Sequence, residues 1–283
     1  MFLVKDHYFN SFDEKAIYVK EKSPVHERST RVVACLPACC QTHHFFDCPV
    51  SDYSLMGYLA KKGFRVFAYD RRGFGASYHP PEGRSITYGV DLKDVEALVD
   101  FITLKTGVKS ISIVAFGFGA LVACLHAINH PDKVEALVLM DFIWKFQQPI
   151  PPQVKETLLN QPDGYLKHSD MAGLFNGALV PFASPEVVQW FHSTFTEAPV
   201  GPLLTVFEPM PLIKSVEKIK ASVLIIRGTR AEVTSETDSI EFLDNISSQI
   251  RAIDVLEGAG AGPHLEKTHY QTVLRDIAWF LSR

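Results

Sequence analysis

The chain has 283 residues, of which 47% are hydrophobic and 21% charged, and its formal net charge is −4. This composition is typical of a soluble globular protein, and the negative balance argues against nucleic acid or an anionic membrane as the main partner. We expect neither a membrane span nor a signal peptide, because every apolar run is too short. The five cysteines are odd in number and lack metal-ligand spacing, so we expect a reducing cytoplasm, no metal and no cofactor.

The first part of the chain alternates strand and helix patterns. Residues 2–20 predict a hairpin at a sheet edge, and Glu21 to Arg31 predicts a loop. Apolar residues then predict a buried strand from Val32 to Leu36, a helix from Tyr53 to Lys61 and a strand from Phe64 to Tyr69. An amphipathic pattern predicts a helix from Asp91 to Lys105. This alternation favours a mostly parallel sheet covered by helices on both faces.

The stretch from Ser110 to Pro131 carries the most information. A β-branched run from Ile111 to Val114 leads into the glycine-rich corner Phe116-Gly117-Phe118-Gly119, and an apolar helical pattern follows. A buried strand that turns sharply into a helix through small residues is the layout of a nucleophile elbow, where G-x-S-x-G normally stands. Here Gly117 occupies the place of the serine.

The remainder of the chain returns to the alternating pattern after an interruption. Val134 to Met140 predicts the next strand, and residues 143–215 are rich in proline and large apolar residues, which favours a helical cap inserted into the core. A second small domain is the alternative for that segment. The core resumes with predicted strands at Val223 to Arg227 and Ala252 to Leu256, and with predicted helices at about Glu236 to Asn245 and His264 to Phe280. The predicted organisation is a core of residues 1–142 and 216–283 with a cap of residues 143–215.

Four motifs in this order resemble the α/β-hydrolase superfamily over nearly the whole chain. They are FRVFAYDRRGFGAS (Phe64 to Ser77), the elbow with its helix and following strand, VLIIRGTRAEVTS (Val223 to Ser235) and LEGAGAGPHLEK (Leu256 to Lys267). The resemblance implies an α/β-hydrolase fold with a small cap. It says less about function, because this fold carries many chemistries.

The resemblance also implies where a Ser-Asp-His triad would stand. The nucleophile position falls on Gly117, the acid position on Ala231 and the histidine position on Ala261. Serine attack needs a hydroxyl, a base and a group that orients the base, so these three residues imply a degenerate triad. The oxyanion loop diverges as well, because Pro37-Ala38 stands where the family has His-Gly and proline has no N–H to donate.

Eight residues are expected to line the resulting pocket, which would be wide and apolar: Pro37, Ala38, Phe116, Gly117, Phe118, Trp144, Ala231 and Ala261. Three polar residues could supply replacement chemistry. His43 and His44 lie in the loop after the third strand, and Asp141 ends the sixth strand at the edge where open α/β sheets bind ligands. Cys39 and Cys40 are the thiols nearest the expected pocket, and no base is visibly paired with them.

Three functions remain open from the sequence. The first is a non-hydrolytic catalyst, of lyase, cyclase or isomerase type, that orients a hydrophobic small molecule in the pocket. The second is a catalytically inactive protein that binds a ligand or a protein, and the third is a hydrolase with relocated catalytic residues. A hydrophobic small molecule is the expected partner, nucleic acid and membranes are not expected, and a homodimer is left open.

Overall fold

The computed structural model describes residues 1–25, 29–144, 152–167, 182–194, 197–207, 215–231 and 235–283. Ten strands and eight helices lie in these ranges. The strands are β1 (Phe2–Asn10), β2 (Ala16–Pro24), β3 (Val32–Leu36), β4 (Arg65–Tyr69), β5 (Ile111–Phe116), β6 (Val134–Met140), β7 (Tyr165–Lys167), β8 (Glu197–Pro199), β9 (Ser222–Gly228) and β10 (Arg251–Leu256). The helices are α1 (Leu55–Lys61), α2 (Tyr88–Thr106), α3 (Phe118–Asn129), α4 (Pro152–Leu159), α5 (Pro185–Thr194), α6 (Val200–Phe207), α7 (Glu236–Asn245) and α8 (Tyr270–Phe280).

The main sheet has the order β1-β2-β4-β3-β5-β6-β9-β10 in the described part of the chain. The six strands from β4 to β10 in this order are parallel, and β1 and β2 form an antiparallel hairpin at one edge. β3 and β5 are buried along their whole length, which is expected for strands covered on both faces. The strand–helix alternation predicted from the sequence is therefore confirmed.

Two hydrophobic clusters cover the faces of this sheet. One joins α2, α3 and α7 to the sheet, and the other joins α1 and α8. α2 begins at the N-cap Thr87, whose hydroxyl accepts from the Val90 N–H, and ends at Gly107 in the left-handed conformation. Among the described helices, none is long and apolar enough to span a bilayer.

Between β6 and β9 the described residues form α4, α5, α6 and the β7–β8 pair. A third hydrophobic cluster joins Leu158, Leu166 and Val200 of this segment to Cys40 and Phe74 of the core loops. The segment therefore packs on the loops at the carboxyl ends of the parallel strands. Parts of the predicted cap, namely residues 145–151, 168–181, 195–196 and 208–214, lie outside the described residues. The division into core and cap stays a prediction.

Two predicted boundaries differ from the structure by four or more residues. β2 continues to Pro24 instead of ending before Glu21, because Glu21 is buried in an ion pair with Arg65 and His7 and so remains in the sheet; residues 26–28 of the predicted loop lie outside the described residues. The last helix begins at Tyr270 and not at His264. His264 lies in a separate 3₁₀ turn, Pro263–Leu265, which proline starts.

Candidate functional site

The predicted elbow is present where β5 meets α3. Gly117 has φ of 52° and ψ of −118°, a conformation that glycine adopts at little cost and that strains other residues. Its N–H donates to the Met140 carbonyl oxygen at 2.9 Å, and its carbonyl accepts from the Ala120 N–H at 3.0 Å. The turn is thus held by backbone hydrogen bonds that do not depend on a side chain at position 117.

The elbow faces the loop that follows β3. A Cβ atom built on Gly117 would have one heavy atom within 4 Å, the Ala38 Cβ at 3.3 Å. The Ala38 N–H donates to the Gln41 side-chain oxygen at 3.3 Å, so this amide is engaged within the loop itself. Pro37, beside it, has no N–H. The structure thus brings the predicted lining residues Pro37 and Ala38 to the elbow, with Ala38 in direct reach of Gly117.

The two phenylalanines that flank Gly117 pack on opposite faces of the sheet. The Phe116 ring lies 4.5 Å from the Phe45 ring, in the cluster that includes α1 and α8. The Phe118 ring lies 4.7 Å from the Arg71 guanidinium carbon, in the cluster that includes α2 and α3. Both rings are buried. The N–H of Phe118 belongs to the first turn of α3, where amides have no intrahelical acceptor, so it is a donor at the positive end of the helix dipole.

Asp141 is the acidic residue directly beside the elbow. It follows Met140, which pairs with Phe116 across β5 and β6 and whose carbonyl accepts the Gly117 N–H. The Asp141 N–H donates to the Ile226 carbonyl oxygen at 3.2 Å, and its φ is 46°, a strained value for a residue other than glycine. Strained backbone of this kind clusters at functional sites.

Three other predicted lining residues follow the neighbouring strands. Ala231 is buried after β9, and Ala261 is partly buried after β10, where it packs against the cluster that contains Phe116. Trp144 is buried after β6, with its ring 5.5 Å from the Phe242 ring of α7. The strand order places the carboxyl ends of β5, β6, β9 and β10 along one edge, so these three residues follow strands that end at the same edge as Gly117 and Asp141.

His43 lies over β4 and β2 and not beside the elbow. Its Nδ1 is 2.6 Å from Asp70 Oδ1, the same oxygen accepts its backbone N–H at 2.8 Å, and its ring is 5.2 Å from the Tyr18 ring of β2. Burial raises the pKa of Asp70, but hydrogen bonds from His43 and Ala76 outweigh it and hold that pKa below its usual value. The Nε2 atom of His43 is buried without a hydrogen-bond partner.

Sequence reasoning missed the partner of His43. Asp70 directly follows β4, and His43 follows β3, so the adjacent parallel strands of the predicted sheet were the signal that could have paired them. The pair is arranged as in a general base, because the tautomer that donates its Nδ1–H to Asp70 leaves Nε2 able to accept a proton. The Asp70 that it contacts follows β4, and β3 lies between β4 and the β5 strand that leads to Gly117.

His44 lies on a different surface again. It lines an open cleft of about 870 Å³ together with Lys20, Lys22 and Trp190, and its ring meets the Trp190 ring edge-on at 6.1 Å. Burial and the neighbouring His43 lower its pKa to about 4, so the ring is neutral at neutral pH. The structure therefore brings together Gly117, Ala38 and Asp141, and it places His43 and His44 elsewhere.

Cys39 is a further nucleophile candidate at this edge. It is partly exposed and packs between the core cluster of Phe118 and the cluster formed with the segment above it. A hydrogen bond from Cys40 and the charge of Arg71 lower the pKa of the Cys39 thiol, against the opposing effect of burial. The Cys39 thiol is therefore an alternative nucleophile, and the experiments on this site include a Cys39 variant.

Because the His264 ring is buried, we expect the free energy of unfolding to decrease in acid. Its ring is wholly buried, its Nε2–H donates to the Phe45 carbonyl oxygen at 3.0 Å, and burial lowers its pKa to about 4. Its unfolded pKa is about 6.5, so between about pH 6.5 and pH 4 the unfolded chain binds a proton that the folded chain does not. We expect this residue to remove roughly 3 kcal/mol of stability as the pH falls through that window.

Urea unfolding of the wild type and of His264→Gln checks this expectation. Glutamine keeps an N–H donor for Phe45 but does not titrate, so its stability should depend less steeply on pH between about pH 7 and pH 4. If the free energy of unfolding depended equally on pH in the two proteins, His264 would not be the group responsible.

Comparison with known proteins agrees with the architecture. Residues 32–187, more than half of the chain, match the sequence profile of a family described as alpha/beta hydrolase fold. A bifunctional esterase/perhydrolase of Acinetobacter calcoaceticus is 25% identical over 265 residues, covering 84% of this chain and 90% of that protein. A hydrolase from Pseudomonas aeruginosa superposes with a TM-score of 0.77 at 20% identity, over 99% of both chains. The enol-lactonase from Burkholderia xenovorans superposes with a TM-score of 0.76 at 17% identity, over 98% of this chain and 100% of that chain.

Proposed function

Because this chain belongs to the alpha/beta hydrolase fold family, we propose that it hydrolyses a small apolar ester or lactone, and that water rather than a serine attacks the carbonyl carbon. The substrate class is suggested by the similar esterase/perhydrolase and enol-lactonase. One observation carries the mechanism. Gly117 leaves the elbow without a side chain, and Asp141 directly follows Met140, whose carbonyl oxygen accepts the Gly117 N–H.

In this proposal the roles are divided among three residues. Asp141 accepts a proton from a water molecule whose oxygen attacks the carbonyl carbon in the space above Gly117. The tetrahedral oxyanion is stabilised by the Phe118 N–H at the start of α3. Collapse of this intermediate breaks the bond to the alkoxide, which takes the proton from Asp141. The acid and the alcohol are then released, and the carboxylate is regenerated.

This proposal treats Gly117, Ala231 and Ala261 as the degenerate triad that the family resemblance implies. A glycine at the elbow creates room for water where the family carries a hydroxyl, and Asp141 on β6 supplies the carboxylate. We also propose residues 143–215 as a cap over the site, because the described part of that segment packs on the core loops through Leu158 and Val200. A lyase, cyclase or isomerase reaction gains no support from the similar proteins named above, all of which are described as hydrolases, esterases or lactonases.

A second candidate is a protein that binds such a ligand without turning it over. The specific observation in its favour is that alanine stands at both positions, 231 and 261, where the resemblance places the acid and the histidine. The two candidates differ in one measurable property, which is the release of acid from a bound ester or lactone.

The decisive comparison is between Asp141→Asn and the matched control Asp132→Asn, which changes an exposed aspartate in the turn before β6. We expect the wild type and the control to hydrolyse members of a panel of short esters and lactones, and Asp141→Asn to lose about 100-fold or more in kcat/KM. Single-turnover reactions in oxygen-18-labelled water should place the label in the acid product with no acyl-protein detectable by mass spectrometry.

Three outcomes would contradict the mechanism. Equal rates for Asp141→Asn and the wild type would remove Asp141 as the base. Loss of activity in Cys39→Ser, with an acylated peptide containing Cys39, would replace water by a thiol nucleophile. A wild-type protein whose melting temperature rises with a substrate that is never hydrolysed would favour the binding candidate.

A further inference from the structure

The α2–α3 helix pair carries a cluster of side chains that the candidate site does not use. Glu96 of α2, His126 of α3 and His130, the residue that caps α3, each present one donor atom, and these atoms lie within 4.8 Å of one another. His126 lies eight residues beyond the start of α3, about 12 Å along the helix axis from the elbow. The cluster is therefore separate from Gly117 and Asp141.

The imidazole of His126 points to a missing ligand. His126 is fully buried, and neither its Nδ1 nor its Nε2 atom has a hydrogen-bond partner in the structure. A buried polar ring with both nitrogens unsatisfied is expensive, and native proteins almost always supply a partner to such groups. No described group of the chain hydrogen-bonds to this ring, and a bound ion is a partner that would satisfy one of its nitrogens.

The neighbouring side chains have the spacing and chemistry of metal ligands. His126 and His130 are four residues apart, so both project from the same side of α3, and their ring centroids are 5.0 Å apart. The His130 Nε2 atom is 3.3 Å from Glu96 Oε1, and both side chains are about one-third exposed, which opens a path from solvent. Lys133, the cation that borders the cluster, is already paired with Asp100.

We propose that Glu96, His126 and His130 bind one Zn²⁺ ion, with a water molecule as the fourth ligand, and that the ion ties α2 to α3. Two imidazole nitrogens and one carboxylate oxygen form a ligand set typical of zinc. Ligand atoms at about 2.0–2.1 Å from a tetrahedral ion lie roughly 3.3 Å apart. The three donor atoms lie within 4.8 Å of one another, so small side-chain rotations would bring them to that spacing. The ion would supply the partner that the His126 ring lacks.

The test uses the full-length chain, free of any affinity tag and stripped with a chelator. Zn²⁺ is titrated by calorimetry, and the melting temperature is followed with and without Zn²⁺. We expect binding of one equivalent and a rise in melting temperature, because an ion that binds the folded state alone stabilises it by mass action. His130→Ala and Glu96→Gln alter partly exposed residues, so they should fold, and each should weaken the affinity at least about 10-fold.

Two controls separate this site from other metal-binding groups. His7→Ala removes the histidine of another His–carboxylate contact, His7–Glu21 at 2.7 Å, and should leave Zn²⁺ affinity unchanged. Cys39→Ser removes the thiol that is most accessible to a soft metal and should also leave it unchanged. Co²⁺ substituted for Zn²⁺ should give the absorption of a tetrahedral nitrogen and oxygen site without a thiolate charge-transfer band.

Three results would overturn the proposal. The first is a wild-type protein that binds no Zn²⁺ in the calorimeter and shows no shift in melting temperature. The second is an affinity that is unchanged in both His130→Ala and Glu96→Gln. The third is an affinity that is lost in Cys39→Ser with a thiolate band in the Co²⁺ spectrum, which would place the ion at the cysteines.

Discussion

Arg72→Ala is expected to destabilise the protein by about 3–5 kcal/mol, a large part of the stability of a typical domain. The Arg72 guanidinium makes two hydrogen bonds to Asp94, at 2.9 and 2.7 Å, and two to Asp13, at 2.7 and 2.8 Å. The Asp94 side chain is only 2% exposed. Removal of the arginine leaves this carboxylate buried without its ion-pair partner, and α2 keeps only the Arg71–Asp91 ion pair of the two that join it to the loop after β4.

Urea unfolding checks this effect against two further variants. Arg275→Ala removes an exposed arginine whose Nε lies 2.9 Å from Asp276 and should leave the unfolding midpoint nearly unchanged. The double variant Arg72→Ala/Asp94→Ala should be more stable than Arg72→Ala alone, because it also removes the uncompensated charge. If Arg72→Ala were as stable as the wild type, solvent would have to reach the Asp94 carboxylate and hydrate its charge, which would contradict the expected loss.

Gly119→Ala is expected to destabilise the protein by about 3 kcal/mol, although alanine is the better helix former. A Cβ atom on Gly119 would stand 2.6 Å from the Pro37 carbonyl oxygen and closer still to the Leu36 oxygen. Both oxygens belong to backbone, which cannot rotate aside, so β3 and α3 would have to separate. The close approach of this loop to α3 is what brings Ala38 to the elbow.

Gly89→Ala is the matched control for this substitution. Gly89 also lies in the first turn of a helix, but the nearest atom to its added Cβ is the Thr87 hydroxyl oxygen at 3.7 Å. We expect this variant to be as stable as the wild type or slightly more stable, because alanine restricts the unfolded chain. Similar losses of stability in both variants would mean that helix α3 can shift to accept a methyl group at position 119.

The local patterns of the sequence located most of the fold. The strand from Val134 to Met140 and the helix from Glu236 to Asn245 have the predicted bounds, because residue patterns within one segment are local signals. The elbow followed from a buried strand, a glycine-rich corner and an apolar helix. The final helix was predicted six residues too early, because the turn at His264 carries buried apolar neighbours that resemble a helix face.

The candidate site was less predictable because its contacts join distant parts of the chain. The sequence predicts that Gly117 and Asp141 follow consecutive strands of the chain, and the structure adds that these two strands, β5 and β6, pair side by side. It did not predict that Asp70 would hydrogen-bond to both the ring nitrogen and the backbone N–H of His43, which lies 27 residues away in sequence. The clustering of Glu96 with His130 depends on how α2 and α3 pack, and no single window of sequence contains both.

The glycine at the elbow has a consequence for pharmacology. Organophosphates and carbamates inactivate esterases by bonding irreversibly to an activated hydroxyl, and position 117 has none to offer. Reagents of this kind therefore find no hydroxyl to modify at the elbow, and a covalent inhibitor would have to react with another group, such as the Cys39 thiol.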